Sequence, residues 1–267
     1  MNESTIQLYA KHFFWWSRNN TVKNAGDYFT PFLIAEILKI FPQHLDRLVS
    51  HLGARKVLSI GSVLHFAKDD DIVWGSGVNG KISMQELRFR RLAVHAVRGP
   101  KTRRVLLDMG IECPEVYGDP AILAPAFFPE TLLRKLFPRK SGVCLVPHLN
   151  ENSDIYKGCN LEIVSPKQDP IQFIAELTAY DGVVSSALHG YIFAEAYGIP
   201  CALLKNHSGE SPFKYADYQL GTGRKETGPQ ELVSDALRNL VIPDFDLKVL
   251  QHNLIASFPF QELGLTG

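Results

Sequence analysis

The stretch "VVSSALHGYIFAEAYGIP" (residues 183–200) holds the side chain of this sequence best suited to proton transfer. An apolar run ends at Ser185 and Ser186, His189 and Gly190 follow directly, and a pattern typical of a helix then begins. An imidazole with an ordinary pKa of about 6.5 gives and takes protons near neutral pH. His189 is therefore a candidate acid or base, the alternative being a structural histidine at a strand end. The two serines could bind a ligand or cap the helix, and capping is favoured.

Two more groups with acid or base chemistry stand at comparable places. Asp27, in "NAGDYF", lies in a loop after an apolar run, where it could take a proton from a hydroxyl group or cap the next helix. His148 ends the run "GVCLVPH" and is a second candidate for proton transfer, or an ordinary loop histidine.

Composition narrows the class of protein. Lys and Arg equal Asp and Glu at 28 each, so no nucleic-acid partner is expected and any anion site must be local. The four cysteines lack the spacing of a zinc site, and no metal or cofactor is predicted. The sequence shows neither a signal-peptide pattern nor an apolar run of about 20 residues. We expect a cytoplasmic protein, with association at the inner membrane surface left open.

Two short matches to known binding motifs lack the neighbouring structure that those sites need, and two catalytic or phosphate-binding motifs do not occur. "GSGVNG" (75–80) fits a dinucleotide-binding fingerprint, but neither the helix nor the later acidic residue that this site needs is apparent. "DDD" (69–71) has the spacing of some metal-binding carboxylates but precedes its strand, so a solvated turn is favoured. Neither a nucleophile elbow nor a P-loop occurs.

The elements that must position these groups alternate along the chain. Short apolar runs at 6–10, 56–64, 71–77, 92–99, 142–148, 161–166, 183–186 and 200–205 predict strands, and amphipathic stretches between them predict helices. "PEVYGDPAIL" (114–123) predicts a further short strand and turn. Such alternation favours an α/β protein with parallel sheets.

We predict two Rossmann-like domains facing a cleft, as in GT-B glycosyltransferases. Residues 1–135 form the first and residues 136–267 the second, with a linker within 126–142. The segment after Pro243 should form a helix that packs back on one of them. Ligands gather at the carboxyl ends of strands in such sheets, so the chemistry should lie between strands and helices.

Five short motifs follow one another along the chain: "GD" (26–27), "GSG" (75–77), "AVRGPKTR" (96–103), "YGDPA" (117–121) and "SSALHG" (185–190). Together they resemble the polysaccharide pyruvyltransferase family over most of the chain. The resemblance implies transfer of a pyruvyl group from phosphoenolpyruvate to a sugar, with a ketal as product. It also implies the two-domain architecture that the alternation of elements suggests independently.

Phosphoenolpyruvate carries a carboxylate and a phosphate, so its site needs Arg, Lys or helix N-terminal amides. The resemblance implies that Arg98 contacts this donor, with His189 as acid or base or as a cation that holds phosphate. Several relatives carry an arginine two residues before this histidine, where the present chain has Ala187. The remaining predicted donor-binding residues, three of them candidate substitutes for that arginine, are Arg103, Ser185, Ser186, Gly190, Lys205, Lys214 and Arg224. Arg103 has the competing interpretation of a helix-surface cation.

The acceptor is expected to be a lipid-linked or nucleotide-linked glycan. Trp15, Trp16 and Asn24 are its predicted contacts, since tryptophan rings can stack on a sugar, although these rings could equally belong to the core. Two other functions stay open: a GT-B-like glycosyltransferase using a nucleotide sugar, and a noncatalytic relative that binds an anion.

Overall fold

The computed structural model describes residues 12–16, 24–39 and 51–265. The strand predicted at residues 6–10 lies outside this part of the chain. Within it, no helix is both long and apolar enough to cross a membrane.

The first sheet consists of four short parallel strands in the order β1-β2-β3-β4. The strands are β1 (Phe13–Phe14), β2 (Val57–Leu58), β3 (Ile72–Trp74) and β4 (Ala93–Ala96). Ile72 is paired with Val57 on one side and Ala93 on the other. β2 covers only the start of its apolar run, and the chain turns at Gly61, whose φ of +100° suits glycine.

The second sheet is also parallel and has the order β6-β5-β7-β8. Its strands are β5 (Val143–Val146), β6 (Glu162–Ile163), β7 (Gly182–Ser185) and β8 (Cys201–Leu203). From β5 the chain crosses to β6 on one side, and then returns past β5 to β7 on the other. The direction of winding therefore reverses between β5 and β7, and a ligand crevice forms outside the carboxyl ends of strands at such a switch point.

Nine α-helices connect or cover the strands in the described residues. They are α1 (Phe29–Leu38), α2 (Pro100–Asp108), α3 (Ala124–Phe127), α4 (Glu130–Leu133), α5 (Pro170–Leu177), α6 (Leu188–Ala196), α7 (Phe213–Gly221), α8 (Val233–Arg238) and α9 (Leu247–Ala256). Proline occupies the first position of α2 and α5, where its missing N–H costs nothing. Asp169 caps α5 by accepting hydrogen bonds from the N–H groups of Ile171 at 2.9 Å and Gln172 at 3.3 Å.

The segment predicted as the linker, 126–142, contains part of α3 and all of α4, and Leu133 in it is fully buried. Its role as a linker stays a prediction, and one other sequence prediction needs correction. Residues 114–123 were predicted to form a short strand and a turn: the strand is only an isolated bridge between Val97 and Tyr117, whereas the turn is present as the 3₁₀ turn Pro120–Leu123.

One large apolar cluster runs through both halves of the chain, with Trp74, Ile122 and Phe193 among its members. α9, the helix after Pro243, packs against the first sheet: the indole N–H of Trp74 donates to the carbonyl of Leu254 at 2.9 Å. The predicted α/β class with parallel sheets is confirmed. The proposed domain boundaries stay a prediction.

Candidate active site

A cleft of about 220 Å³ lies where the carboxyl ends of both sheets meet. The first half of the chain contributes residues that follow β1, β2 and β3, namely Trp16, Asn24, Gly26, Asp27, Ser62, Val63, His65, Asn79 and Lys81. Residues after β5 and β7 and on α6 and α7 line the opposite wall, among them His148, Asn150, Ala187, His189, Gly190 and Lys214. The loops that follow the strands of both sheets therefore bring the polar side chains together in one cleft.

His189 lies at the centre of this cleft, on the first turn of α6, between two carboxyl groups. Its Nδ1 is 3.7 Å from Oδ1 of Asp27, and its Nε2 is 3.6 Å from Oδ2 of Asp119. Both carboxyl groups are buried. Gly26 packs on the imidazole so closely that a Cβ at this position would lie 2.0 Å from Nδ1. Glycine is required here to admit the ring.

The protonation of this trio follows from burial and charge. Burial alone would lower the pKa of His189, but the carboxylates of Asp119 and Asp27 outweigh it and raise that pKa above its usual value. Burial raises the pKa of Asp27 to about 6, although the charge of His189 opposes the shift. A carboxyl group with a raised pKa beside an imidazole can exchange a proton with a bound molecule.

His148 faces the same cleft but is held neutral. Burial and the nearby charge of Lys214 lower its pKa to about 4. The backbone N–H of Asn150 donates to its Nδ1 at 3.3 Å, which assigns the ring proton to Nε2. His148 is thus a hydrogen-bond donor toward the cleft rather than a cation.

The positive charge of the cleft comes from two lysines that share one carboxylate. Nζ of Lys214 is 2.7 Å from Oε2 of Glu210, and Lys81 from the other half of the chain pairs with Oε1 of the same residue. Burial works against ionisation of Glu210, but the two lysines lower its pKa to about 2. This ion triplet joins the two walls of the cleft.

Arg98 lies behind the cleft wall and is fully buried. Its Nη1 donates to Oγ of Ser62 at 2.6 Å, and Nη2 donates to the carbonyl of Val78 at 2.6 Å. Nε donates to Oδ2 of Asp217 on α7 at 3.2 Å, and Thr102 donates to the same carboxylate through its N–H and its hydroxyl. We call Arg98, Asp217 and Thr102 the inter-half clasp. Through Ser62, the clasp supports the cleft wall.

Three other predicted donor-binding cations do not line the cleft. Arg103 donates to the carbonyl of Cys113 at 2.9 Å, and Lys205 pairs with Glu231 at 2.7 Å. Arg224 pairs with the buried carboxylate of Glu195 at 2.6 Å. Of the candidate substitutes for an arginine at position 187, Lys214 alone lines this cleft.

Ser185 and Ser186 lie where β7 leads into α6, and Gly190 lies on the first turn of α6, where a Cβ would come within 2.5 Å of Oγ of Ser185. Oγ of Ser185 accepts the N–H of Ala187 at 3.1 Å, and Ala187 occupies the N-cap position of α6 without any side-chain cap. The favoured prediction that the serines cap this helix is therefore wrong, because Ser185 bonds to the backbone before the helix and Ser186 bonds to residues that follow β5. Ser186 Oγ donates to Glu151 and accepts the N–H of His148 at 3.0 Å. Only the ligand-binding alternative is left as a prediction for them.

Trp16 and Asn24, two of the predicted acceptor contacts, also line the cleft. The amide of Asn24 donates to Oδ2 of Asp27 at 2.8 Å and so orients that carboxyl group. The ring of Trp15 lies 5.8 Å from that of Tyr28, outside the lining.

Sequence reasoning missed several polar residues of the lining: Ser62, His65, Asn79, Lys81, Asn150 and Glu210. Of these, only Asn79 and Lys81 could have been identified from the sequence, because Asn79 lies in the glycine-rich stretch 75–80 after β3 and Lys81 follows it directly. Within the described part of the chain, no His, Cys, Asp or Glu cluster has the arrangement of a metal site.

The fold and this cleft define an α/β protein with paired acid and base groups beside buried cations. The polysaccharide pyruvyl transferase family matches residues 8–208, most of the chain, and the protein belongs to this family. The family resemblance predicted from the sequence is confirmed, and with it the general activity, pyruvyl transfer to polysaccharide. No curated protein matches the chain at significant similarity.

Proposed function

We propose that the protein transfers a pyruvyl group from phosphoenolpyruvate to two hydroxyl groups of a sugar in a polysaccharide precursor. The products are a pyruvate ketal and phosphate. The observation that carries this proposal is the trio of Asp27, His189 and Asp119 at a cleft that also holds Lys214. Family membership supports the same reaction.

The reaction needs one proton delivered and two hydroxyl protons removed. A proton adds to the methylene carbon of the enol, and the first sugar oxygen bonds to the central carbon. The second sugar oxygen then replaces phosphate, which leaves with the remaining proton. His189, whose protonated form is favoured by its two carboxylate neighbours, is the acid for the methylene carbon. Asp27 lines the cleft beside it; once it has passed its own proton to the imidazole that protonated the donor, it is the base that takes the hydroxyl proton.

Lys214 supplies the donor-binding charge that some relatives carry at position 187. Its ammonium group is buried in the lining and lies 3.4 Å from Nε2 of His148, so both side chains can face one phosphate or carboxylate. The N-terminal end of α6, which lines the cleft at Leu188 and His189, adds the backbone amides of these two residues to this anion site. Arg98 supports the site through Ser62.

Trp16 and Asn24 form the acceptor end of the cleft. The acceptor is a lipid-linked or nucleotide-linked glycan, handled in the cytoplasm at or near the membrane surface. Residues 1–135 and 136–267 form the two walls in a GT-B-like arrangement, since each contributes one parallel sheet whose carboxyl ends face the cleft.

The test incubates the protein with phosphoenolpyruvate and a panel of lipid-linked and nucleotide-linked glycans. Ketal formation with stoichiometric phosphate release is the expected result. Sugar transfer with nucleotide release would instead identify a glycosyltransferase, and binding of phosphoenolpyruvate without turnover on any acceptor would identify an anion-binding relative.

A matched pair of variants tests the donor site. Lys214→Ala should raise the KM for phosphoenolpyruvate at least tenfold, because it removes the buried cation of the cleft. Lys205→Ala removes a lysine of the same half whose partner is the exposed Glu231, and its KM should match that of the wild type. Equal KM values for the two variants would refute the assignment of Lys214.

A further inference from the structure

Asp119 stands behind the imidazole of His189, on the side away from the cleft. It is fully buried and is absent from the cleft lining, whereas Asp27 is part of that lining. The loop that carries it leads into the 3₁₀ turn Pro120–Leu123, which packs on α6. Asp119 thus comes from the first half of the chain and reaches a histidine of the second.

Two backbone groups fix the carboxylate of Asp119 in place. The N–H of Ala121 donates to Oδ1 at 3.1 Å, and the N–H of Gly61 donates to Oδ2 at 3.4 Å. Oδ2 is also the atom 3.6 Å from Nε2 of His189. The carboxylate therefore cannot turn away from the ring without losing both backbone hydrogen bonds.

His189 is the sole cationic partner of Asp119 among the described residues. A buried carboxylate without a counter-charge is costly, so Asp119 favours the charged form of the ring. The charged groups that face the ring are Asp119 behind it, Asp27 on the cleft side and Lys214 on α7. The lysine opposes protonation, and the two carboxylates outweigh it.

We propose that Asp119 is a positioning residue that holds the Nε2–H of His189 from behind, so that Nδ1 is the nitrogen that exchanges protons with Asp27 and the substrate. This inference rests on the proposed function for the identity of the substrate. The two carboxylates have different roles because of where they lie: Asp119 contacts only protein, whereas Asp27 lines the cleft.

The general logic is that of a histidine held by a carboxylate on one nitrogen and reactive at the other, in which the carboxylate fixes the tautomer and stabilises the imidazolium. Gly61 contributes to the same geometry. Its N–H holds Asp119, and a Cβ at this position would lie 2.4 Å from Oδ1 of Asp27. A single glycine therefore keeps both carboxylates at their distances from the ring.

The test is Asp119→Asn, read by ¹⁵N NMR of the histidine rings. The amide oxygen still accepts the N–H of Ala121, so the turn is retained, but the amide NH₂ now faces Nε2. We expect the protonation constant of His189 to fall at least about tenfold and its neutral ring to change from the Nε2–H to the Nδ1–H tautomer. The kcat should fall with a shifted pH profile, while the KM for phosphoenolpyruvate changes less than about threefold.

Asp169→Asn is the matched control, because Asp169 precedes a proline and caps a helix as Asp119 caps its turn, but has no histidine partner in the described part of the chain. The control should leave the titration of His189 unchanged. Equal titration and tautomer in the wild type and Asp119→Asn, or equal shifts in the two variants, would overturn the proposal. The wild-type tautomer gives a second test that needs no variant: a neutral ring with its proton on Nδ1 would also overturn it. These readouts need no turnover, so they remain decisive if the pyruvyl transfer assay fails.

Discussion

Substituting Arg98 tests whether this arginine acts mainly by binding the donor or by holding the two halves of the molecule together. Its guanidinium group is fully buried and donates to Asp217, Ser62 and the carbonyl of Val78. In Arg98→Ala the carboxylate of Asp217 keeps the two hydrogen bonds from Thr102 but loses its counter-charge. We expect loss of stability to dominate the effect of the substitution.

The magnitude follows from the burial of both partners. Removing one member of a buried ion pair costs about 3–5 kcal/mol, because the other charge stays in a medium of low polarity. That is a large share of the roughly 5–15 kcal/mol that stabilises a typical domain. At about 2–4 °C per kcal/mol for a chain of this size, the Tm should fall by roughly 6–20 °C.

The assay is thermal and urea unfolding followed by circular dichroism, with donor binding measured well below the Tm of the variant. Arg104→Ala is the control, since Arg104 is exposed on α2, the helix that follows Arg98, and its ion-pair partner among the described residues is Asp108 one turn away. Its Tm should stay within about 2 °C of the wild type. If Arg98→Ala unfolds like the wild type but binds phosphoenolpyruvate much more weakly, the clasp has little energetic weight and Arg98 is chiefly a donor contact.

Further predictions concern the imidazole, pH and thiol reactivity. Gly26→Ala should lower kcat at least about a hundredfold, since its Cβ would displace the ring of His189, whereas Gly228→Ala, with open space around its Cβ, should retain activity. The pKa of Asp27 is about 6 in the folded protein against 3.8 ordinarily, so the folded state holds an extra proton between these values. The free energy of unfolding should therefore fall by up to about 3 kcal/mol as the pH rises from roughly 4 to 6. Urea unfolding of Asp27→Asn at several pH values should lack this dependence on pH. Under native conditions Cys159, half-buried, should react with a thiol reagent before the other three buried cysteines, and mass mapping of the first adduct checks the order.

Many features of the fold could be predicted from residues that are neighbours in the sequence. Proline and aspartate fixed the starts of α2 and α5, and β7 with α6 was predicted because an apolar run ends at polar residues before a helical pattern. The placement of Asp27, His148 and His189 in one cleft followed from the rule that ligands gather at the carboxyl ends of parallel strands. These arguments need only neighbouring residues and the sheet type.

What could not be predicted depends on contacts between distant parts of the chain. Arg98 was expected to reach the donor, but its position behind Ser62 depends on Asp217, which lies more than a hundred residues later. Asp119 lies in the stretch 114–123, for which a turn was predicted, and it caps that turn. Its second contact, with His189, depends on how the two halves pack, and no local pattern records that packing.

The charge balance of the cleft leads to one more prediction, about the absence of an arginine at Ala187. Three cationic side chains face three carboxyl groups: Lys81, Lys214 and His189 against Asp27, Asp119 and Glu210. With all of them ionised the cleft is neutral and has little attraction for an anion. Protonation of Asp27, whose pKa is about 6, leaves one net positive charge.

Binding of an anionic donor and protonation of Asp27 should therefore favour each other, since each stabilises the charge that the other needs. We expect the affinity for phosphoenolpyruvate to weaken by up to about tenfold per pH unit as the pH rises above 6, with a proton taken up on binding. Calorimetry in two buffers of different ionisation enthalpy measures that uptake. Asp27→Asn, which is neutral at every pH, should bind the donor with little pH dependence above 7, where the phosphate itself is fully ionised. Unchanged proton uptake in this variant would show that a different group supplies the missing charge.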